Sequence, residues 1–153
     1  MVTAHVVFAT ITGNNEDVAD IVTEKLEELG CQVKETEISQ TDAAEFKQAD
    51  ICVVCAYTYD EGSLPDEGVD FYEDLQTLDL KGKIYGVAGS GDTFYGKYYN
   101  TTVDHFEAAF QQTHATSGAT GVKINLEPDQ AAIDQLDLFA TQLVNTYRQG
   151  HAD

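Results

Sequence analysis

Thr10, Ile11, Thr12, Gly13, Asn14 and Asn15 follow an apolar run, AHVVFA over 4–9, and lead into a stretch with helical periodicity. A strand that needs only to reverse does so on Asn-Gly or Pro-Gly. This loop instead gathers hydroxyls, amides and one glycine where a strand passes into a helix, a setting in which backbone N–H groups and the helix dipole can surround a phosphate. The nearest cation in sequence is Lys25, so peptide dipoles rather than an ammonium would meet the charge. Thr and Asn also cap helices of every kind, so the loop taken alone fits either use.

Two other phosphate chemistries fail on spacing. Gly82-Lys83 runs into Ile84 and Gly96-Lys97 into Tyr98, so a Walker loop is absent. The Gly89, Gly91 pair meets Phe94 where a dinucleotide fingerprint needs its third glycine. Two further loops carry aromatics: Tyr57 and Tyr59 lie in YTYDEGSLPDE, and Tyr95 lies in GSGDTFYGKYY. Aromatics on neighbouring loops can stack a flat ring between them, and they can equally cover the ends of a sheet.

The elements that would carry these loops are read from hydrophobic period. Val18, Ile21, Val22, Leu26 and Leu29 trace one face of a helix, which Gly30 ends. A strand is expected at 32–38, a short helix near 41–48, and ICVVCAY at 51–57 reads as a strand buried on both faces, the pattern of a parallel sheet. A helix over 68–78 follows, then the strand KIYGVAGS ending at Ser90. Tyr99, Val103, Phe106 and Phe110 mark another helix, TGVKINL a fifth strand, and Ile133, Leu136, Ala140, Leu143, Val144 and Tyr147 the inner face of a last helix. Such alternation implies a doubly wound α/β domain with helices on both faces of a parallel sheet. Ligands of these folds sit beyond the carboxyl ends of the strands, which here are the loops 10–15, 57–66 and 89–95.

At 153 residues the chain suits one domain, 1–153, with the last few residues, about 149–153, expected to be disordered. No apolar run approaches the ~20 residues that span a bilayer and the start shows no leader pattern. Three cysteines form no disulfide framework, and a cytoplasmic location is expected. Twenty-seven Asp and Glu against eight Lys and Arg leave a formal charge of −19, which disfavours nucleic acid and anionic membranes. That charge serves solubility or salt adaptation on one reading and steering toward a basic protein partner on the other.

Cys52 and Cys55 make a C-x-x-C, a spacing that elsewhere signals redox or metal chemistry. Inside a strand, three residues at ~3.3 Å each put them about 10 Å apart on opposite faces, beyond disulfide reach. His5, His105, His114 and His151 have no metal spacing, and no metal is expected. A receiver domain would share the alternation but needs acidic residues at the first and third strand ends, where Thr10 and Tyr57 stand.

Three stretches together resemble the flavodoxin family, and the likeness covers nearly the whole chain. TITGNN resembles that family's phosphate loop T/S-x-T-G-x-T, TYDEGSLPD its T-W/Y-G-D-G-E-L-P-D, and GSGDTFY its G-x-G-D-x-x-Y. The fifth strand follows the helix before it without an inserted loop, so the short-chain form is the closer match. The resemblance implies a flavodoxin-like sandwich with strand order 2-1-3-4-5 and flavin mononucleotide (FMN) as cofactor. It places the phosphate on Thr10, Ile11, Thr12, Gly13, Asn14 and Asn15. Tyr59 and Tyr95 would stack on the two flavin faces, Ser90, Gly91 and Asp92 would meet the pyrimidine edge, and Thr58, Tyr59, Asp60, Glu61 and Gly62 would pass the N5 side. Asn15 replaces a hydroxyl residue of the family, Tyr57 a small one and Asp60 a glycine. The last bears on redox tuning, because a left-handed backbone costs Asp about 1 kcal/mol more than glycine.

The function implied is low-potential, one-electron carriage between redox proteins with basic docking surfaces, such as a flavodoxin reductase, by a monomer without substrate turnover of its own. Asp60, Glu61, Asp66, Glu67, Asp70, Glu73 and Asp74 crowd one stretch, and several such charges would lower the second flavin potential by on the order of 100 mV. The alternatives are an activator module for one dedicated partner, of the ribonucleotide reductase activator type, and a small FMN-dependent quinone reductase.

Overall fold

The computed structural model describes residues 2–9, 14–56, 68–91, 101–125 and 129–150. Their order is β1 (Thr3–Ala9), α1 (Asn14–Glu28), β2 (Gln32–Glu37), two 3-10 turns (Ile38–Gln40 and Ala43–Gln48), β3 (Ile51–Ala56), α2 (Val69–Leu75), β4 (Ile84–Gly91), α3 (Thr101–Gln112), β5 (Thr116–Ser117), β6 (Val122–Asn125) and α4 (Gln130–Gly150). The strands form one parallel sheet in the order β2-β1-β3-β4-β5, with β6 also paired to β4. This is the doubly wound order expected from the sequence.

The sheet divides two cores. Ala4 and Val6 of β1, Val53 and Cys55 of β3, and Ile84 and Ala88 of β4 pack with Val18, Val22 and Leu26 of α1 and Leu136, Phe139 and Leu143 of α4. Val7, Cys52, Val54, Tyr85 and Val87 turn the other way, toward Phe46, Phe71, Phe106 and Phe110. All six residues of β3 are buried, which explains its unbroken apolar run: strand alternation sends side chains into both cores. Tyr85 stacks on Phe110 with ring centroids 4.7 Å apart and planes 11° from parallel.

Gly30, at φ 94°, ends α1 as read from the sequence. Its N–H donates to Glu27 O at 3.0 Å and the Cys31 N–H to Leu26 O at 3.0 Å, the paired bonds of a Schellman stop. Four expectations need correction. The segment near 41–48 is a 3-10 turn, Ala43–Gln48, entered through Asp42, whose Oδ1 accepts from the Ala44 N–H at 2.9 Å while Glu45 Oε2 accepts from the Asp42 N–H at 3.0 Å. The helix expected over 68–78 is the shorter Val69–Leu75, because the N–H groups of Thr77 and Leu78 bond back three residues to Asp74 O and Leu75 O and tighten its end.

The fifth strand is two pieces, β5 and β6, both beside β4. Between them Gly118 donates to Tyr85 O at 2.9 Å, and a Cβ there would collide with Ile84 Cγ2 and lie 2.7 Å from Leu143 Cδ2. Within α4, Ile133 and Tyr147 are only half-buried, while Ala132 and Phe139 share the inner face with Leu136, Ala140, Leu143 and Val144. Among the described residues no helix is long and apolar enough to cross a membrane.

Candidate functional site

The three loops singled out in the sequence leave adjacent strands at the same edge of the sheet. Ala9, which ends β1, is the register partner of Ala56, which ends β3. Cys55 of β3 pairs with Ala88, and β4 runs three residues further to Gly91, supported there by β6 through Ser90 with Ile124 and Gly91 with Asn125. At about 4.8 Å between strands, the exits of β1 and β4 lie about 10 Å apart. The chain winds from β1 to β2 on one side and returns to β3 on the other, so the gap between β1 and β3 is the topological switch point where such sheets bind ligands.

The helix start beside these exits suits an anionic ligand. Asn14 and Asn15 form the first turn of α1, so the loop after β1 feeds straight into a 15-residue helix whose dipole points its positive end at that loop. Ser90 and Gly91 are the last two residues of β4. Lys25 lies in the last turn of α1 and pairs with Glu28 at 3.4 Å, roughly 16 Å along the helix from Asn14. Peptide N–H groups, and not this lysine, therefore supply the positive end at the helix start. Thr10, Ile11, Thr12, Gly13, Tyr57, Thr58, Tyr59, Asp60, Glu61, Gly62, Asp92 and Tyr95 lie outside the described residues.

With this geometry the comparisons become decisive. A model of the flavodoxin family matches residues 6–136. The chain belongs to the flavodoxin family. Members of this family are FMN-binding electron carriers, and in this chain the start of α1 and the ends of three adjacent parallel strands lie at one edge of the sheet. The chain is 34% identical over 137 residues to probable flavodoxin 2 of Bacillus subtilis (strain 168), covering 89% of this chain and 90% of that protein. Among solved structures it is similar to a short-chain flavodoxin associated with a PDU bacterial microcompartment of a non-standard kind, at 64% identity and a TM-score of 0.95 over 96% of this chain and 99% of that one. It is also similar to the flavodoxin of Streptococcus pneumoniae TIGR4, at 48% identity and a TM-score of 0.92 over 94% and 99% of the two chains.

The cysteine pair and the buried histidine of this flavodoxin fall where packing explains them. Cys52 and Cys55 are both buried free thiols, one in each core, and burial pushes both thiols up, away from thiolate chemistry. His5 is buried on the opposite face from α1, edge-on to Phe46, with Nε2 2.8 Å from Thr36 Oγ1. A groove of about 250 Å³ beside it, edged by Gln32, Lys34, Glu45 and Gln48, lies at the amino end of β1 and β2 and so opens away from the loop exits.

Sequence reading missed one cluster close to the α1 start. Glu35 of β2 lies under α1, where Thr23 Oγ1 donates to its Oε1 at 2.6 Å. Burial, a hydrogen bond with Asp20 and the charges of Asp20 and Glu16 push its carboxyl up to about 7, against the lowering effect of Thr23. The i, i+4, i+7 spacing of Glu16, Asp20 and Thr23 signals a common helix face, but which strand residue meets that face depends on register.

Proposed function

We propose that the chain is a low-potential, one-electron carrier that shuttles between redox proteins and performs no substrate turnover of its own. The observation that carries this reading is the convergence of the β1, β3 and β4 exits with the α1 start, in a chain whose family match spans residues 6–136. FMN, when bound, supplies one-electron chemistry on its isoalloxazine ring. The chain's own residues hold and shield it: Thr10, Ile11, Thr12, Gly13, Asn14 and Asn15 enclose the phosphate, and Tyr59 and Tyr95 cover the ring faces. Thr58, Asp60, Glu61 and Gly62 border one ring edge and Ser90, Gly91 and Asp92 the other. The exposed ring edge is left to a partner with a basic docking surface, met by a monomer in the cytoplasm.

A fluorescence titration of the apoprotein, with the absorbance of the loaded protein followed during stepwise reduction, tests both halves. The expected results are stoichiometric FMN binding, reduction in two separate one-electron stages, and a Thr12→Ala variant that loses far more affinity for FMN than for riboflavin. Equal loss for the two ligands removes the phosphate-loop assignment, and rapid NAD(P)H oxidation without a reductase replaces the carrier reading with the quinone reductase one. The 64% identity to a flavodoxin associated with a bacterial microcompartment supports a narrower setting, electron supply to such a compartment, which co-sedimentation with assembled shells would test.

A further inference from the structure

His5 spends one ring nitrogen on the fold and keeps the other. Its Nε2 lies 2.8 Å from Thr36 Oγ1, Thr36 Oγ1 lies 2.7 Å from Thr41 Oγ1, and the Thr41 hydroxyl donates to Glu37 O at 2.6 Å. A carbonyl oxygen only accepts, so the single hydroxyl proton of Thr41 goes to Glu37 and that of Thr36 goes to Thr41. His5 Nε2 must then supply the proton on the remaining bond. Burial, with the Lys34 ammonium, holds the imidazole below 6.5, so at neutral pH the ring carries its one proton on Nε2 and Nδ1 is a bare acceptor. That acceptor has no hydrogen-bond partner among the described residues, on a side chain only 3% exposed, and a buried acceptor without a donor bears the cost of its lost hydration.

The register partner of His5 is Lys34, and Thr36 lies two residues further toward the carboxyl end of β2. With Nε2 drawn that way, Nδ1, on the other side of the ring, turns back toward the amino ends of the strands. There the groove of about 250 Å³ opens, with His5, Lys34, Glu45, Gln32 and Gln48 in its wall. Both carboxylate oxygens of Glu45 are engaged, Oε1 by Lys34 Nζ at 2.7 Å and Oε2 by the Asp42 N–H at 3.0 Å. Lys34 keeps two of its three ammonium protons for another acceptor. The Lys34–Glu45 pair and the neutral His5 leave this wall without net charge in a chain of −19. An anion therefore meets no net attraction, and a cation meets an ammonium beside a carboxylate already occupied.

We propose that this groove is a second small-molecule site, for a neutral compound carrying a primary carboxamide: His5 Nδ1 accepts from the amide N–H and the Lys34 ammonium donates to the amide carbonyl. The Gln32 and Gln48 side chains at the rim carry both a carbonyl and an NH2 group and can meet the second amide N–H. The site lies one strand length, roughly 20 Å, from the loop exits, and the inference does not depend on the proposed function.

Nitrogen-15 NMR of the histidine rings in the FMN-loaded protein, above neutral pH, tests it with propionamide, butanone and propionate, three probes of nearly one shape. Before any probe is added, His5 should show a protonated Nε2 and a bare Nδ1. Propionamide should shift the Nδ1 signal and saturate. Butanone keeps the carbonyl without an N–H, and propionate replaces the neutral amide with a charge; each should bind roughly tenfold more weakly, the loss of one hydrogen bond. His5→Phe should remove the preference for propionamide over butanone and leave FMN affinity unchanged. A proton on Nδ1 in the free protein, an Nδ1 signal that propionamide does not move, or equal or tighter binding of either isostere overturns the proposal. The wild-type measurements decide it even if His5→Phe does not fold.

Discussion

Gly86 of β4 lies directly against Phe139 of α4: a Cβ placed on the glycine would stand 2.7 Å from Phe139 Cζ and 2.7 Å from Leu143 Cδ2. Helix α4 packs onto the sheet through this missing side chain. Gly86→Ala is expected to destabilise the protein by about 1–3 kcal/mol, as overpacking does. Gly118→Ala should cost more, since its Cβ would also stand 3.3 Å from the Leu143 Cα, which cannot rotate away. Urea unfolding of both variants checks the order.

His5 should make the protein acid-sensitive. Burial first, and the Lys34 ammonium second, hold its imidazole below 6.5, against the opposing pull of Glu45. A folded-state value below the unfolded one means that the stabilising contribution is present above about 6.5 and is lost as pH falls through the folded value. Between pH 6.5 and 5 wild type should therefore lose stability relative to His5→Gln, whose side chain does not titrate. This slope is opposite in sign to the one expected from the raised Glu35 carboxyl, and parallel pH curves for wild type and His5→Gln would refute the His5 contribution.

The thiols should be silent in the folded protein. Cys31, Cys52 and Cys55 are all buried and free, and loss of hydration on burial is the main reason each thiol holds its proton more tightly than in water. A chromogenic disulfide reagent is expected to label close to none of them under native conditions and all three after denaturation. Rapid native labelling of Cys52 or Cys55 would contradict the burial that the sheet imposes.

If the −19 charge steers docking, association with a basic flavodoxin reductase should slow steeply as salt rises from about 50 to 300 mM, since the Debye length is near 10 Å at 0.1 M. Stopped-flow mixing measures it. Rates independent of salt would leave the charge with solubility or salt adaptation as its role.

The alternation of strands and helices, the two-sided burial of β3, the stop of α1 at Gly30 and the separation of Cys52 from Cys55 were all legible in the order of residues. Each follows from a period or a residue type acting within a few positions, where burial on one or two faces leaves a direct mark in the order of residues. Family likeness in three short loops added the cofactor. Tertiary structure decided the rest. The break between β5 and β6 arises because Gly118 lets the chain settle against Ile84 and Leu143, residues far from it in sequence. Phe139 joins the inner face of α4 because the glycine at 86 leaves it room. Glu35 meets Thr23 only once β2 is in register with β1 and α1 has turned Val18 and Val22 onto the sheet, and a contact between two polar side chains leaves no hydrophobic period from which it can be read.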